Sequence, residues 1–231
     1  DATHVAYADN AGLSILRSEI SRDGVTELES RDGLETGAIA YTSAAYRDAG
    51  GEIDSAALLG FEPGTIAEPA VIQGRPLTTD DTRALLADRR FLDESGLALG
   101  DTVEIELRLT TLPFVIVGVV DQGSFFFQPS LHLLRNSVLE LKYGTVDDGT
   151  PAASIVLLRG EIPDSLAGFE IATKDEAFAN IEGVAGQSST IASLQLLGYL
   201  IGALILGAFF YVFTLQKTPQ LALSRALGAS G

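Results

Sequence analysis

An α+β domain followed by one membrane-crossing helix is the architecture that this 231-residue sequence predicts. Three observations predict it. Gly183 to Gln216 contains no charged residue, and Leu196 to Leu215 is almost wholly apolar. The region before it mixes strand-period and helix-period segments without regular strand–helix alternation, which favours α+β over a doubly wound sheet. That region is also strongly acidic. The chain carries 31 Asp and Glu against 15 Lys and Arg, and only Lys217 and Arg225 lie beyond the apolar run. The layout read from these features is a domain over 1–182, a stalk over 183–195, a membrane helix over 196–216 and a tail over 217–231.

In chain order, Ala38 to Ala45 and Ile53 to Leu59 read as strands around Asp48-Ala49-Gly50-Gly51, which has turn chemistry. Asp81 to Leu86 reads as the opening of a helix, and Asp88 to Ser95 as a short helix stopped by Gly96. Thr102 to Thr110 alternates apolar and polar residues, the period of a strand with one wet face. Phe114 to Val120 is a continuous apolar strand, joined to the first through Thr111-Leu112-Pro113 as a hairpin. Phe125-Phe126-Phe127 anchors a loop into the core, with an exposed apolar patch as the alternative. Ser130 to Tyr143 reads as a helix, since Leu131, Leu134, Val138 and Leu141 recur at helical spacing and Gly144 can end it. Ser154 to Leu158 is a short strand. Thr173 with Glu176 forms a capping box, which starts a helix over Thr173 to Ile181.

The apolar run reads LLGYLIGALILGAFFYVFTL. Its roughly twelve Leu, Ile, Val and Phe residues favour insertion by about 5 kcal/mol, with no charge to oppose it. A buried helix of a soluble domain normally meets a charge within about 10–14 residues, and this run does not. Its place near the end of the chain excludes a signal peptide. Gly198, Gly202, Ala203 and Gly207 form a ladder of small residues that lets helix backbones approach closely in lipid. Because the charges after the run are basic, the tail is expected inside the cell and the acidic domain outside.

Composition excludes several function classes. Without cysteine there is no disulfide or thiolate metal site. A pI near 4.3 argues against nucleic acid as a partner, because phosphate binding needs a basic surface. No Walker loop, H-E-x-x-H or G-x-S-x-G is present. His4 and His132 read as structural or surface residues, and the pairs Asp80-Asp81 and Asp147-Asp148 as solvated turns. Gly74-Arg75-Pro76-Leu77 reads as a direction-setting loop, with Arg75 bridging to a carboxylate. No catalytic, metal-binding or cofactor-binding residue is assigned. With no methionine and Asp1 first, the chain reads as a segment of a longer protein.

The stretch FYVFTLQKTPQLALSRALGAS, Phe210 to Ser230, resembles the segment after a membrane helix in permeases of the MacB/FtsX type of ABC transporter, with a particular likeness to DevC-like exporter permeases. VIQGRPL at Val71 to Leu77, GLALGDTVEI at Gly96 to Ile105 and VIVGVVD at Val115 to Asp121 follow the order of that family's extracytoplasmic core domain. Ala222 stands where a glycine is common in the family, and Ser224 where an apolar residue is usual. The resemblance implies a MacB-like periplasmic core domain, one membrane helix before it and three after, an ABC ATPase as a separate partner subunit, and a homodimer. It also implies an extracytoplasmic adaptor or cargo, and a plasma-membrane location.

The tail chemistry fits the same role. Pro219 can occupy a first helical turn, where its missing N–H costs nothing. Ala222, Leu223, Ala226 and Leu227 then share one face, Ser224 and Arg225 lie opposite, and Gly228 supplies a stop. By this chemistry the tail is a short amphipathic helix that docks in a partner groove or lies on lipid, and the resemblance implies that Lys217, Pro219, Leu223, Arg225, Leu227 and Gly228 form its ATPase-coupling segment. The alternative function is a single-pass anchored binding or sensor domain without transport. Two further apolar spans beyond Gly231 would favour the permease, and a soluble signalling domain the sensor.

Overall fold

The computed structural model of the protein describes residues 2–108, 110–162, 166–180 and 184–226. It divides into two compact units, Asp1–Val184 and Ala185–Gly231. The first is an α+β domain, as expected. Its elements are β1 (His4–Ala8), α1 (Arg22–Glu29), β2 (Leu34–Arg47), β3 (Ile53–Phe61), β4 (Val71–Gly74), β5 (Ala84–Asp88), α2 (Arg89–Ser95), β6 (Thr102–Leu107), β7 (Thr110–Val120), β8 (Ser124–Phe125), β9 (Gln128–Leu134), α3 (Arg135–Tyr143), β10 (Ile155–Gly160), β11 (Phe169–Thr173) and α4 (Lys174–Ala179).

The strands form one mixed sheet in the order β11-β1-β10-β2-β3-β9-β5-β7-β4, with β6 pairing β2 and β7, and β8 pairing β9. The pairs β3–β9 and β5–β7 are parallel and the rest antiparallel. β2 joins the two flanks. It pairs with β10 from Leu34 to Ile39 and with β3 from Ala40 to Arg47, so the ladder passes from one neighbour to the other at Ile39–Ala40.

Several expected elements hold. α2 begins at Asp88, whose side chain accepts from the Arg90 N–H, and ends at Gly96 in the left-handed conformation. The capping box at Thr173 is complete: the Glu176 carboxylate accepts from the Thr173 N–H at 2.9 Å, and Thr173 Oγ1 accepts from the Glu176 N–H at 3.3 Å. Gly144 ends α3. The turn between β2 and β3 is closed by Asp48, whose carboxylate accepts from the Glu52 N–H at 2.7 Å.

Three expectations are corrected. The residues from Ala84 are strand β5, not a helix; every position in it is buried, because it lies between β9 and β7 with both faces covered. Gln128 to Leu134 is strand β9, and the helix starts only at Arg135. The β6–β7 hairpin exists, but β6 ends at Leu107 and β7 starts at Thr110, since Leu107 faces Thr110 and Glu104 faces Pro113; Leu109 lies outside the described residues. Pro113 is tolerated inside β7 for a geometric reason. Ile116 donates toward β6 and Val115 toward the β5 side. Pro113 shares the parity of Val115, at a point where β5 has not yet begun to pair, so its missing N–H breaks no ladder bond.

The second unit is a single helix, α5 (Val184–Ala226), of 43 residues. Within it Ser193–Leu215 is 23 residues long with a mean hydropathy of 2.2, or about 34 Å at 1.5 Å per residue. That stretch is long and apolar enough to cross a membrane. The expected stalk residues from Val184 and the tail residues up to Ala226 continue the same helix. Pro219 does not start a separate one, although it leaves one carbonyl without an intrahelical donor.

Candidate functional site

The domain's open surface follows from strand alternation. On β1, Ala6 points to one face and Val5 and Tyr7 to the other; on β10, Val156 and Leu158 oppose Ile155 and Leu157. The Ala6 face is closed by α1, whose Val25 and Leu28 are buried against Ala38, Val156 and Leu158. The opposite face is equally apolar but only half covered, by α4 and by the loop around Phe125 and Phe126. What remains is a cavity of about 260 Å³ floored by Ile39, Leu59, Ile155 and Leu157. A second cavity of about 470 Å³ shares Ile39, Leu59 and Leu157 and reaches His132 and Glu68. Lys174, the first residue of α4, lines both, and among the described residues it is the one charged residue around the first.

The walls are strained. Phe125 pairs with Gln128, leaving Phe126 and Phe127 as a two-residue turn at φ 52° and 64°. Such turns normally take Asn-Gly, because side chains with a Cβ clash at positive φ. The turn is nevertheless held. Phe125 and Phe126 pack on Tyr41 with ring centroids 5.3 and 5.5 Å away, and the Gln128 amide bonds Ser43 and Ser55, both at 2.9 Å. Phe127 stays 58% exposed. Phe125 and Phe126 thus anchor the loop into the core as expected, while Phe127 is a single exposed ring. Leu13, also a lining residue, sits at φ 55°. Its N–H and that of Gly12 donate to Glu170, at 3.2 and 2.7 Å.

His132, Asp88, Asp81 and Asp147 are occupied structurally. His132 is buried on β9, its Nε2 3.4 Å from Ser130 Oγ; burial lowers its pKa to about 4, with a smaller opposing pull from Asp88. Asp88 accepts from the N–H groups of Arg90, Gln122 and Gly123 at 2.7–2.9 Å. These three residues lie near one another but are committed to backbone and packing, with Ser130 only 2% exposed. Arg75 bridges to a carboxylate as expected. It grips Asp81 with two bonds of 2.7 and 2.8 Å, holding that carboxyl far below the usual range. Asp147 accepts from Gly149 and Thr150 within its own turn. Among the described residues no three His, Asp or Glu side chains gather as a metal site.

The Gly-Arg and Gly-Asp pairs in the family-like stretches are backbone devices. Gly74, at φ 80°, lies so close to β7 that a Cβ would come within 2.4 Å of the Val117 carbonyl oxygen. Asp101 closes its turn by accepting from the Ala98 N–H at 2.9 Å, while Gly100 donates to the Ile116 carbonyl at 2.8 Å.

Gly198, Gly202, Ala203 and Gly207 all lie on α5. Nothing stands within 4 Å of a Cβ built on any of the three glycines. The backbone of Lys217, Pro219, Leu223 and Arg225 belongs to α5; their side chains, together with Leu227 and Gly228, lie outside the described residues. The trough itself was missed in sequence. Its signal is SIVLL, whose unbroken apolar run gives β10 two greasy faces, one of them packed against the eight-residue α1.

No family model matches the chain. The fold matches the crystal structure of the periplasmic region of MacB from Actinobacillus actinomycetemcomitans at TM-score 0.55 and 18% identity, covering 79% of this chain and 93% of that one. It also matches the extracellular domain of the noncanonic ABC-type transporter YknZ from Gram-positive bacteria at TM-score 0.51 and 20% identity, covering 71% and 86%. In sequence the chain is 25% identical over 143 residues to HrtB of Staphylococcus epidermidis, named as a hemin transport system permease protein, covering 62% of this chain and 40% of the relative. HrtB of Staphylococcus haemolyticus is 24% identical over 137 residues, covering 59% and 38%. The chain thus spans about 40% of the length of the curated relatives it matches. The likeness to MacB/FtsX-type ABC transporter permeases stands at two levels, with the MacB periplasmic fold in the domain and permease proteins as sequence relatives.

Proposed function

We propose that this chain is a permease segment of an ABC exporter or mechanotransmitting ABC system, with ATP bound and hydrolysed on a separate subunit. The observation that carries this reading is the succession, in one chain, of a domain with the MacB periplasmic fold and a 23-residue apolar helical stretch. In this reading the domain over 1–182 is extracytoplasmic, 183–195 is its stalk, 196–216 crosses the plasma membrane and 217–231 is cytoplasmic. The basic residues Lys217 and Arg225, alone beyond the span, support that direction.

The segment containing Lys217, Pro219, Leu223, Arg225, Leu227 and Gly228 contacts the ATPase subunit. Its displacement is passed along α5 and rearranges the outer domain, which grips cargo or docks an adaptor protein. Gly198, Gly202, Ala203 and Gly207 supply a close-packing face for a second copy or for a neighbouring helix.

Because the chain has no cysteine, Lys217→Cys introduces a unique label site. It should react with a membrane-impermeant maleimide only after the membrane is permeabilised, and labelling of intact cells would reverse the orientation. In cells that co-express the ATPase, Arg225→Glu should reduce export while leaving membrane insertion intact. Hemin, named for the HrtB relatives, is the first cargo to assay. Full export by that variant counts against coupling. Leu223→Asp with Leu227→Asp should weaken co-purification of the ATPase; unchanged recovery would mean that the tail only rests on lipid.

A further inference from the structure

We propose that the trough beside α4 binds a linear alkyl carboxylate, its chain on Ile39, Leu59, Ile155 and Leu157 and its head group at Lys174. The inference goes beyond the transport reading and does not depend on it.

Three independent features converge there. The first is shape and chemistry. Four apolar side chains from three strands floor a cavity of about 260 Å³ that continues into one of about 470 Å³, near and within the roughly 300–1,000 Å³ of small-molecule sites. The second is charge. The chain has a net charge of −16, which disfavours anions over most of its surface, yet among the described residues the one charged group around the smaller cavity is Lys174. Lys174 makes no ion pair among the described residues. Glu68 in the adjoining cavity repels a carboxylate placed deeper. The head group is therefore held at Lys174 and the alkyl chain enters the smaller, apolar space. The third is strain. Of the five non-glycine residues at positive φ among the described residues, Leu13 and Phe126 line this cavity and Phe127 adjoins it; such conformations concentrate where a site needs a fixed wall. Phe178, 63% exposed at the rim, offers a ring that an alkyl chain would cover.

The chain contains no tryptophan, so Phe178→Trp gives a single reporter at the rim. In phosphatidylcholine proteoliposomes of the full chain, 10-bromodecanoate should quench that fluorescence saturably. 10-Bromodecan-1-ol has the same chain and bromine without the charge, and should need about tenfold more. Adding Lys174→Met should raise the bromodecanoate midpoint by a similar factor and leave the alcohol unchanged. Ala177→Leu, which fills the cavity, should abolish saturable quenching. Equal, non-saturating quenching by acid and alcohol would mean lipid partition alone and would overturn the proposal. Saturable quenching indifferent to Lys174→Met would overturn the head-group assignment. Lys174 is exposed, so that variant keeps the test decisive even if Ala177→Leu fails to fold.

Discussion

Burial keeps the His132 imidazole neutral, and this ties stability to pH. Its pKa falls to about 4 in the fold, against about 6.5 in an unfolded chain. Between these values the unfolded chain takes up a proton that the fold refuses. Stability contributed by neutral His132 is therefore complete above pH 6.5 and declines as pH falls toward 4, by up to about 3 kcal/mol. Urea unfolding at pH 7 and pH 4.5 measures the decline, and His132→Gln should flatten it; an unchanged slope would show that other groups cause it. At this scale the sequence was informative where chemistry is local. Arg75 finding a carboxylate, Asp147 closing a turn and Thr173 capping α4 are all encoded within a few residues. A histidine's burial is set by strands distant in sequence, and it was legible only as a residue with no partner motif.

Among the elements, the failures share a cause. β5 and β9 are buried on both faces; β5 therefore shows no alternation, while β9 alternates polar and apolar residues without having the wet face that alternation normally marks. In β9 the polar Ser130 and His132 are buried with Leu131 and Leu133, and the leucines blend into the helical spacing of α3. β6, buried on one side only, is legible as a strand by its alternation, although it ends at Leu107, short of the expected Thr110. The Phe126-Phe127 turn was illegible because the residues that would announce it, Asn and Gly, are absent. It yields a clean comparison, since Phe127 is 58% exposed and its replacement costs little packing. Phe127→Gly should be more stable than Phe127→Ala by roughly 1 kcal/mol, the cost of a Cβ at positive φ. Chemical denaturation of the two variants checks this, and equal midpoints would mean that the turn relaxes.

For the whole molecule, the acidic domain and the apolar helix were evident from composition and run length, because membrane insertion depends on summed transfer energies and not on register. The same sum predicts its own failure. Leu204→Arg together with Ile205→Arg adds roughly 5–7 kcal/mol at the centre of the span, enough to cancel the approximately 5 kcal/mol that favours insertion. The double variant should leave the membrane fraction on carbonate extraction, while Leu204→Ala stays. Retention of the double variant would show that something other than this helix holds the chain to the membrane.

The passage of β2 from one neighbour to the other has a mechanical consequence. β10 stops pairing at Ile39 and β3 starts at Ala40, so the two wings of the sheet are spliced along β2 end to end, without overlap. Any rocking of the wings concentrates at that splice. The trough floor straddles it, with Ile155 and Leu157 on one wing and Leu59 on the other, so a molecule wedged there acts as a brace, and twisting the wings apart would widen its berth.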